Sequence, residues 1–252
     1  MKIKLYGERH TSTNYLTQLI RLNCAAELFE GVVPRAYRTL EHLGISGLRD
    51  RFFRNSFDQN LGWKHAALPS LEKLAPHLTA TRIVTLTKNP YAWIVSMHRR
   101  PYHLAGAAGL SIEEFVSRKW RMLERDNVAE RALTITELWN RKNRTYLVPN
   151  EAAILNLTSE TVQLDPSASV RQIAAFANLN CSPNFQDFSA STKKRQNLDA
   201  NYYRHYYAEE VWRETLSEQA ISTINSELDQ TLAAHFGYQK IEHSGPKDKS
   251  VD

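Results

Sequence analysis

Residues 2–28 read KIKLYGERHTSTNYLTQLIRLNCAAEL. Lys2 to Tyr6 alternates polar and apolar side chains, the period of a strand, and Gly7 ends the run. From Thr13 to Leu28, the residues Leu16, Leu19, Ile20 and Cys24 recur at helical spacing. Between these patterns lies Gly7-Glu8-Arg9-His10-Thr11-Ser12, a strand-to-helix loop. Such a loop offers backbone N–H groups and the positive end of a helix dipole to an anion. Thr11, Ser12 and Thr13 add hydroxyls, Arg9 adds charge, and Asn14 opens the helix. The spacing is not GxxxxGK[ST], so this is not a Walker A loop. Taken alone, an ordinary Thr/Ser-capped helix start accounts for the same residues.

Working outward, the alternation of strand, loop and helix continues. Residues 31–60 are irregular and basic, with Phe52, Phe53 and Phe57 among Arg49, Arg51 and Arg54. Leu61 to Lys64 reads as a short strand and Pro69 to His77 as a short helix. Arg82 to Thr87 (RIVTLT) is rich in β-branched residues and is the clearest strand. Pro90 sits at a favoured first helical position, and its helix runs to Arg100. Ser111 and Glu114 form a capping-box pattern. Further helices are expected over 129–142 and 170–179, a long amphipathic helix or a pair of helices over 209–236, and a strand over Thr145–Val148. Repeated strand–helix units imply an α/β fold with a parallel sheet covered on both faces. The last residues, 241–252, read as a frayed tail.

The 252 residues suit one α/β domain. Hydrophobic residues make up 42% and charged residues 23%, which excludes disordered, collagen-like and coiled-coil chains. A net charge of +5 favours anionic ligands, but no aromatic–basic repeat points to nucleic acid. Cys24 and Cys181 belong to no CxxC or Cys/His cluster, so neither a metal site nor a disulfide framework is expected. No stretch approaches a membrane span or a signal-peptide pattern. Together these features lead us to expect a cytoplasmic protein with no membrane span.

Two further constellations carry chemistry. Lys88-Asn89-Pro90 follows the strongest strand, where ligands bind in open parallel sheets, and Ser96 lies eight positions after Lys88. A cation at the strand end and a hydroxyl two turns into the helix can grip one phosphate. A solvated Lys beside a buried Ser is the plain alternative. Trp63-Lys64-His65, with Leu68-Pro69, places a cation next to a group that titrates near neutral pH. A surface or core-satisfied histidine is the plain alternative there.

The ordered set resembles the sulfotransferases that use 3′-phosphoadenosine 5′-phosphosulfate (PAPS). Their first loop often reads P-K-S-G-T-T-W, and His10-Thr11-Ser12-Thr13-Asn14-Tyr15 matches K-S-G-T-T-W in register. Lys64-His65 with Leu68-Pro69 is similar to the family's K-T-H-L-P. Lys88-Asn89-Pro90 and Ser96 are similar to R-N-P and its Ser. Tyr146 to Glu151 is similar to the Y-E-D-L strand and turn, and Pro166 to Leu179 to the helix that follows. Lys193-Lys194-Arg195 before the aromatic run Tyr202–Tyr207 is similar to the family's basic segment near the C-terminus. The resemblance implies a P-loop-like, three-layer α/β domain over 1–240, with a central parallel sheet of about five strands. It implies in-line transfer of a sulfuryl group from PAPS to an acceptor hydroxyl on a small molecule, glycan or glycolipid, with adenosine 3′,5′-bisphosphate (PAP) as product and no metal. The phosphosulfate would lie on Arg9, His10, Thr11, Ser12, Thr13 and Asn14. The 3′-phosphate would lie on Lys88 and Ser96, covered by Lys194 or Arg195. His65 would be the general base, with Lys64, His10 and Arg9 stabilising charge. Residues 31–60 and 101–127 are expected to line the acceptor site.

Three positions depart from the family's pattern. His10 stands where a catalytic Lys is usual, Lys88 replaces an Arg, and Ser12 replaces a Gly. A left-handed backbone at Ser12 would cost about 1 kcal/mol. These departures leave a catalytically degenerate binding protein as an alternative. A P-loop small-molecule kinase is the other, although it needs a Mg²⁺-binding acid and a loop Lys.

Overall fold

The structure is a computed structural model that describes residues 1–42, 47–102, 104–147, 152–188 and 199–242. The first elements in chain order are β1 (Lys2–Gly7), α1 (Thr13–Asn23), β2 (Glu27–Leu28), α2 (Arg35–His42), α3 (Leu48–Asn55), α4 (Phe57–Asn60) and α5 (Leu71–Leu74). Next come β3 (Thr81–Thr87), α6 (Pro90–Arg99), α7 (Ile112–Ser117), β4 (Trp120–Arg121), β5 (Ala132–Leu133), α8 (Ile135–Tyr146) and β6 (Ile154–Thr158). The remainder are α9 (Ser159–Leu164), α10 (Pro166–Ala177), α11 (Ala200–Ala208), α12 (Glu218–Glu227) and α13 (Gln230–His235).

The central sheet is parallel, with strand order β2-β1-β3-β6. It has four strands among the described residues rather than about five. Both faces are covered, so β1 and β3 are buried almost throughout, as parallel strands between helices must be. Ile3, Leu5, Val84 and Leu86 point to α1 and α10, where they meet Leu16, Leu19, Ile20, Val170 and Ile173. Tyr6 and Ile83 point the other way, toward Leu68, Leu74 and Tyr146. A third cluster, built on Trp93, Trp139 and Trp212, joins α6, α7, α8, α12 and α13. Helix starts follow local chemistry. Asn89 accepts from the N–H groups of Tyr91 and Ala92, with Pro90 in the first turn, and Ser111/Glu114 forms both bonds of its capping box.

Several elements differ from the sequence expectation. Residues 61–64 form a loop, not a strand, because Leu61 (φ 54°) and Gly62 (φ 81°) turn the backbone left-handed. Lys4 Nζ donates to the carbonyls of Asn60 and Gly62, and Tyr6 Oη to that of Leu61, which fixes this turn from below. Thr145 and Tyr146 end α8, since Tyr146 packs on Ile83 and Ile154. The strand expected at 145–148 is found instead at β6, and 148–151 lie outside the described residues. The first helix stops at Asn23 rather than Leu28; residues 211–236 take the paired form of their expectation, two helices, preceded by a short 3₁₀ turn. The expected helix at 129–142 runs from Ile135 to Tyr146.

The two cysteines form a disulfide, contrary to the expectation from their spacing. A short antiparallel bridge places Cys24 beside Cys181, with Ala25 N–H on Asn180 O at 2.9 Å and Ser182 N–H on Asn23 O at 2.7 Å. A pairing across 157 residues leaves no local sequence signature. Among the described residues, no helix is long and apolar enough to cross a membrane.

Closing so long a loop constrains the unfolded chain. Reduction, or a Cys24→Ala/Cys181→Ala double substitution, is expected to destabilise the fold by roughly 2–5 kcal/mol. Denaturant unfolding with and without reductant measures this, and equal midpoints would contradict it.

Candidate functional site

The connection after β1 leads to β2 at one edge, and the connections after β3 lead toward β6 at the other. The carboxyl ends of β1 and β3 therefore flank the topological switch point, where open α/β sheets bind ligands. Loop 7–13 and Lys88 both lie there. Gly7 has no room for a side chain, since a Cβ would sit 2.6 Å from Thr11 Oγ1 and 2.9 Å from Leu86 O. Within the loop, Thr11 Oγ1 donates to Glu8 O at 2.6 Å, and Thr11 N–H reaches the same carbonyl at 3.2 Å. Arg9 N–H donates to Glu8 Oε1 at 2.7 Å. Two of the expected anion-binding N–H groups are thus already engaged. His10 (φ 66°) and Ser12 (φ 60°) are left-handed, so the steric cost expected at Ser12 applies. Ser12 Oγ accepts from Gln163 Nε2 at 2.9 Å. His10 Nε2 lies 3.1 Å from Arg100 O, with its ring against Tyr102. Thr13 is buried at the helix start and Asn14 is exposed.

Beneath the loop is a buried charge cluster that we did not anticipate from the sequence. Lys142 of α8 donates to Glu8 Oε2, to Asp126 Oδ1 at 2.7 Å and to His65 O at 2.7 Å. Lys142 falls in line with Ile135, Leu138, Trp139 and Tyr146, the buried stripe of its helix. That spacing was the available signal, masked by the basic neighbours Arg141 and Arg144. Arg9 is 6% exposed, its guanidinium 4.4 Å from the centre of the Trp63 ring. Burial lowers its pKa, and the carboxylates of Glu8 and Asp126 oppose that shift.

Lys64 and His65 close the loop from the side. Gly7 N–H donates to Lys64 O at 2.9 Å, and His65 Nδ1 lies 2.7 Å from Gly7 O. A carbonyl only accepts, so Nδ1 carries the proton and Nε2 of the neutral ring holds a lone pair. Burial, then the charges of Lys64 and Arg9, push the His65 pKa well below the usual histidine value. Lys64 Nζ donates to Asn14 Oδ1 at 2.5 Å, and burial brings its pKa down to about 8.

Across the switch point, Lys88 is 2% exposed and its Nζ donates to Ser96 Oγ at 2.8 Å. The ring of Tyr207 lies 5.0 Å from that ammonium, and burial pushes the pKa of its hydroxyl well above the usual tyrosine value. Glu160 stands nearby, accepting from Asn89 N–H at 3.0 Å and Tyr238 Oη at 2.8 Å. Burial raises the Glu160 pKa, against the charge of Lys88. The structure therefore gathers loop 7–13, Lys64, His65, Lys88 and Ser96 at one end of the sheet. Lys194 and Arg195 lie outside the described residues. A cavity of about 410 Å³ opens beside α1, and Asn14 and Lys64 are the candidate residues that reach it.

No known protein-family model matches the chain, and no curated protein does. Among solved structures, the chain is similar to the sulfotransferase domain from the curacin biosynthetic pathway, at 12% identity over 95% of this chain and 98% of that one, TM-score 0.47. It is similar to mouse sulfotransferase SULT7A1 complexed with PAP, at 14% identity over 89% and 81%, TM-score 0.49. It is also similar to the sulfotransferase domain from the Synechococcus PCC 7002 olefin synthase, at 15% identity over 90% and 93%, TM-score 0.42.

Two outcomes follow from this geometry. Lys142→Met leaves Glu8 and Asp126 without their shared cation, and a loss of about 3–5 kcal/mol is expected in denaturant unfolding. For His65, the folded ring resists protonation that the unfolded ring accepts below about pH 6.5. The unfolded state then binds more protons, so stability falls as pH drops below that value. His65→Gln is expected to flatten this slope in unfolding titrations between about pH 5 and 7; an unchanged slope would assign the acid sensitivity elsewhere.

Proposed function

We propose that the chain is a PAPS-dependent sulfotransferase that moves a sulfuryl group to an acceptor hydroxyl. The observation that carries this reading is the Lys88–Ser96 pair, 2.8 Å apart, facing an anion-type loop across the switch point of the sheet. That arrangement suits a donor with two separated phosphate groups better than a triphosphate held by one loop. The 3′-phosphate takes Lys88 and Ser96, with Lys194 or Arg195 closing over it. Tyr207 covers the Lys88 ammonium, so its ring gives way when phosphate arrives. The 5′-phosphosulfate takes Arg9, His10, Thr11, Ser12, Thr13 and Asn14.

In the transfer, the acceptor oxygen attacks sulfur in line with the bridging oxygen. Its proton passes to Nε2 of His65, the ring nitrogen left unprotonated by the bond to Gly7 O. The new O–S bond forms as the bond from sulfur to the 5′-phosphate oxygen breaks, and PAP leaves with the electron pair. Lys64, Arg9 and His10 stabilise the charge that develops on the sulfuryl and bridging oxygens. Most of the work is positioning and electrostatics, as in phosphoryl transfer. The degenerate-binder reading draws on one observation, the contact of His10 with Arg100 O at the position of the usual Lys.

PAP is expected to raise the melting temperature where ATP·Mg²⁺ does not; the reverse would favour a kinase. Lys88→Ala is expected to weaken PAP binding roughly 10–100-fold, the scale of one charge-assisted bond, and unchanged affinity in calorimetry would remove the 3′-phosphate role. His65→Ala is expected to abolish turnover while leaving PAP affinity near wild type; equal loss of both would contradict the base assignment. Slow PAPS hydrolysis without acceptor would set the inert-binder reading aside.

A further inference from the structure

The cavity beside α1 has a composition that selects among acceptors. One wall is a single helical face, Asn14, Thr17, Gln18 and Arg21, at positions i, i+3, i+4 and i+7. The opposite face of the same helix is buried in the core, so this wall is polar by placement rather than by chance. Residues 28–32, Lys64 and Phe188 also line the cavity. Residues 28–32 are set close to Lys64 by Gly31. A Cβ there would lie 2.5 Å from the Lys64 Cβ, and Lys64 N–H donates to Gly31 O at 3.3 Å.

The polar groups offer both donors and acceptors. Arg21 and Glu30 pair at 3.6 Å, and Lys64 is already shared with Asn14. The Gln18 side chain makes no hydrogen bond among the described residues, although it lines the cavity. Phe29 and Phe188 supply aromatic surface beside these groups. An apolar ligand lying over the Gln18 amide would leave it without a partner, a penalty of roughly 1–3 kcal/mol. A ring bearing several hydroxyls satisfies it and still presents a C–H face to the aromatic side chains. The 410 Å³ volume lies at the small end of ligand pockets, roughly 300–1,000 Å³, and suits one or two such rings.

We propose that this cavity binds the acceptor, and that the acceptor is a polyhydroxylated ring of mono- or disaccharide size rather than an apolar phenol. The word acceptor rests on the sulfuryl-transfer reading; the binding itself does not. Asn14 and Lys64 belong both to the cavity and to the proposed phosphosulfate site, so a hydroxyl held beside them lies next to the transferring group. Residues 28–32 thereby supply part of the pocket, whereas none of the described residues of 101–127 lines it.

Saturation-transfer NMR with lactose and chitobiose as carbohydrate probes, and p-nitrophenol as the phenolic probe, tests this with and without PAP. At least one disaccharide is expected to bind more tightly than the phenol. Gln18→Leu, and Val32→Trp at the exposed rim, are each expected to weaken that binding roughly tenfold, the scale of one lost hydrogen bond or a blocked mouth. The thermal shift given by PAP should stay at its wild-type value in both variants. Tighter binding of p-nitrophenol, no disaccharide binding, or no effect of either substitution would overturn the proposal. Disaccharide binding without any response to PAP would uphold the carbohydrate site and overturn the sulfuryl-transfer reading instead.

Discussion

The ammonium of Lys142 has three protons to donate, and each goes to a different segment of the chain. Glu8 belongs to the loop after β1, His65 O to the turn that flanks it, and Asp126 to the 3₁₀ turn after β4. All three ionised side chains are almost fully buried. Such a group stabilises little against an apolar replacement of equal volume, but it tolerates no missing member. What it supplies is registration: three loops that share no sequence proximity are held to one atom. The Trp63 ring lies at the same place, with Arg9, Arg125 and Lys142 at 4.4, 5.1 and 5.7 Å from its centre. Loop 7–13 thus rests on a buried floor of matched charges, and Arg9 is oriented by it.

On the other side of the candidate site, the Tyr207 ring lies 5.0 Å from the Lys88 ammonium. Trp93 Nε1 donates to Arg9 O at 2.8 Å, and Trp139 Nε1 donates to Lys88 O at 2.9 Å. Both indoles come from the aromatic cluster that joins the C-terminal helices to α6 and α8. The carbonyls at the ends of β1 and β3 are therefore fixed by core residues, not by solvent. A site built on such supports needs little reorganisation to meet charge.

Much of the fold was legible because its signals are local. The alternation in β1, the β-branched run of β3, the Asn-Pro start of α6 and the capping box at Ser111 are each decided by neighbours in sequence. The spacing of Lys88 and Ser96 was equally legible, since two helical turns bring them together. What escaped was everything decided at long range. The left-handed turn at Leu61 and Gly62 depends on Lys4 and Tyr6 beneath it, more than fifty residues away. Residues 145–148 have strand propensity, yet Tyr146 is worth more in the core as the last turn of a helix. Nothing beside Lys142 or Glu8 in sequence names the other as its partner, because burial of an ion pair is a property of the assembled molecule.

The Cys24–Cys181 bond also changes what kind of object the chain is. It joins the residue after α1 to the residues just after α10, so β2, β3 and β6 all lie inside one covalent ring, and β1 is tied to that ring through α1. A single break in the backbone anywhere between those two cysteines does not release a fragment. The anion loop stays attached to the scaffold that shapes it even in a nicked molecule, and integrity of the site becomes a matter of ring closure as much as of an unbroken chain.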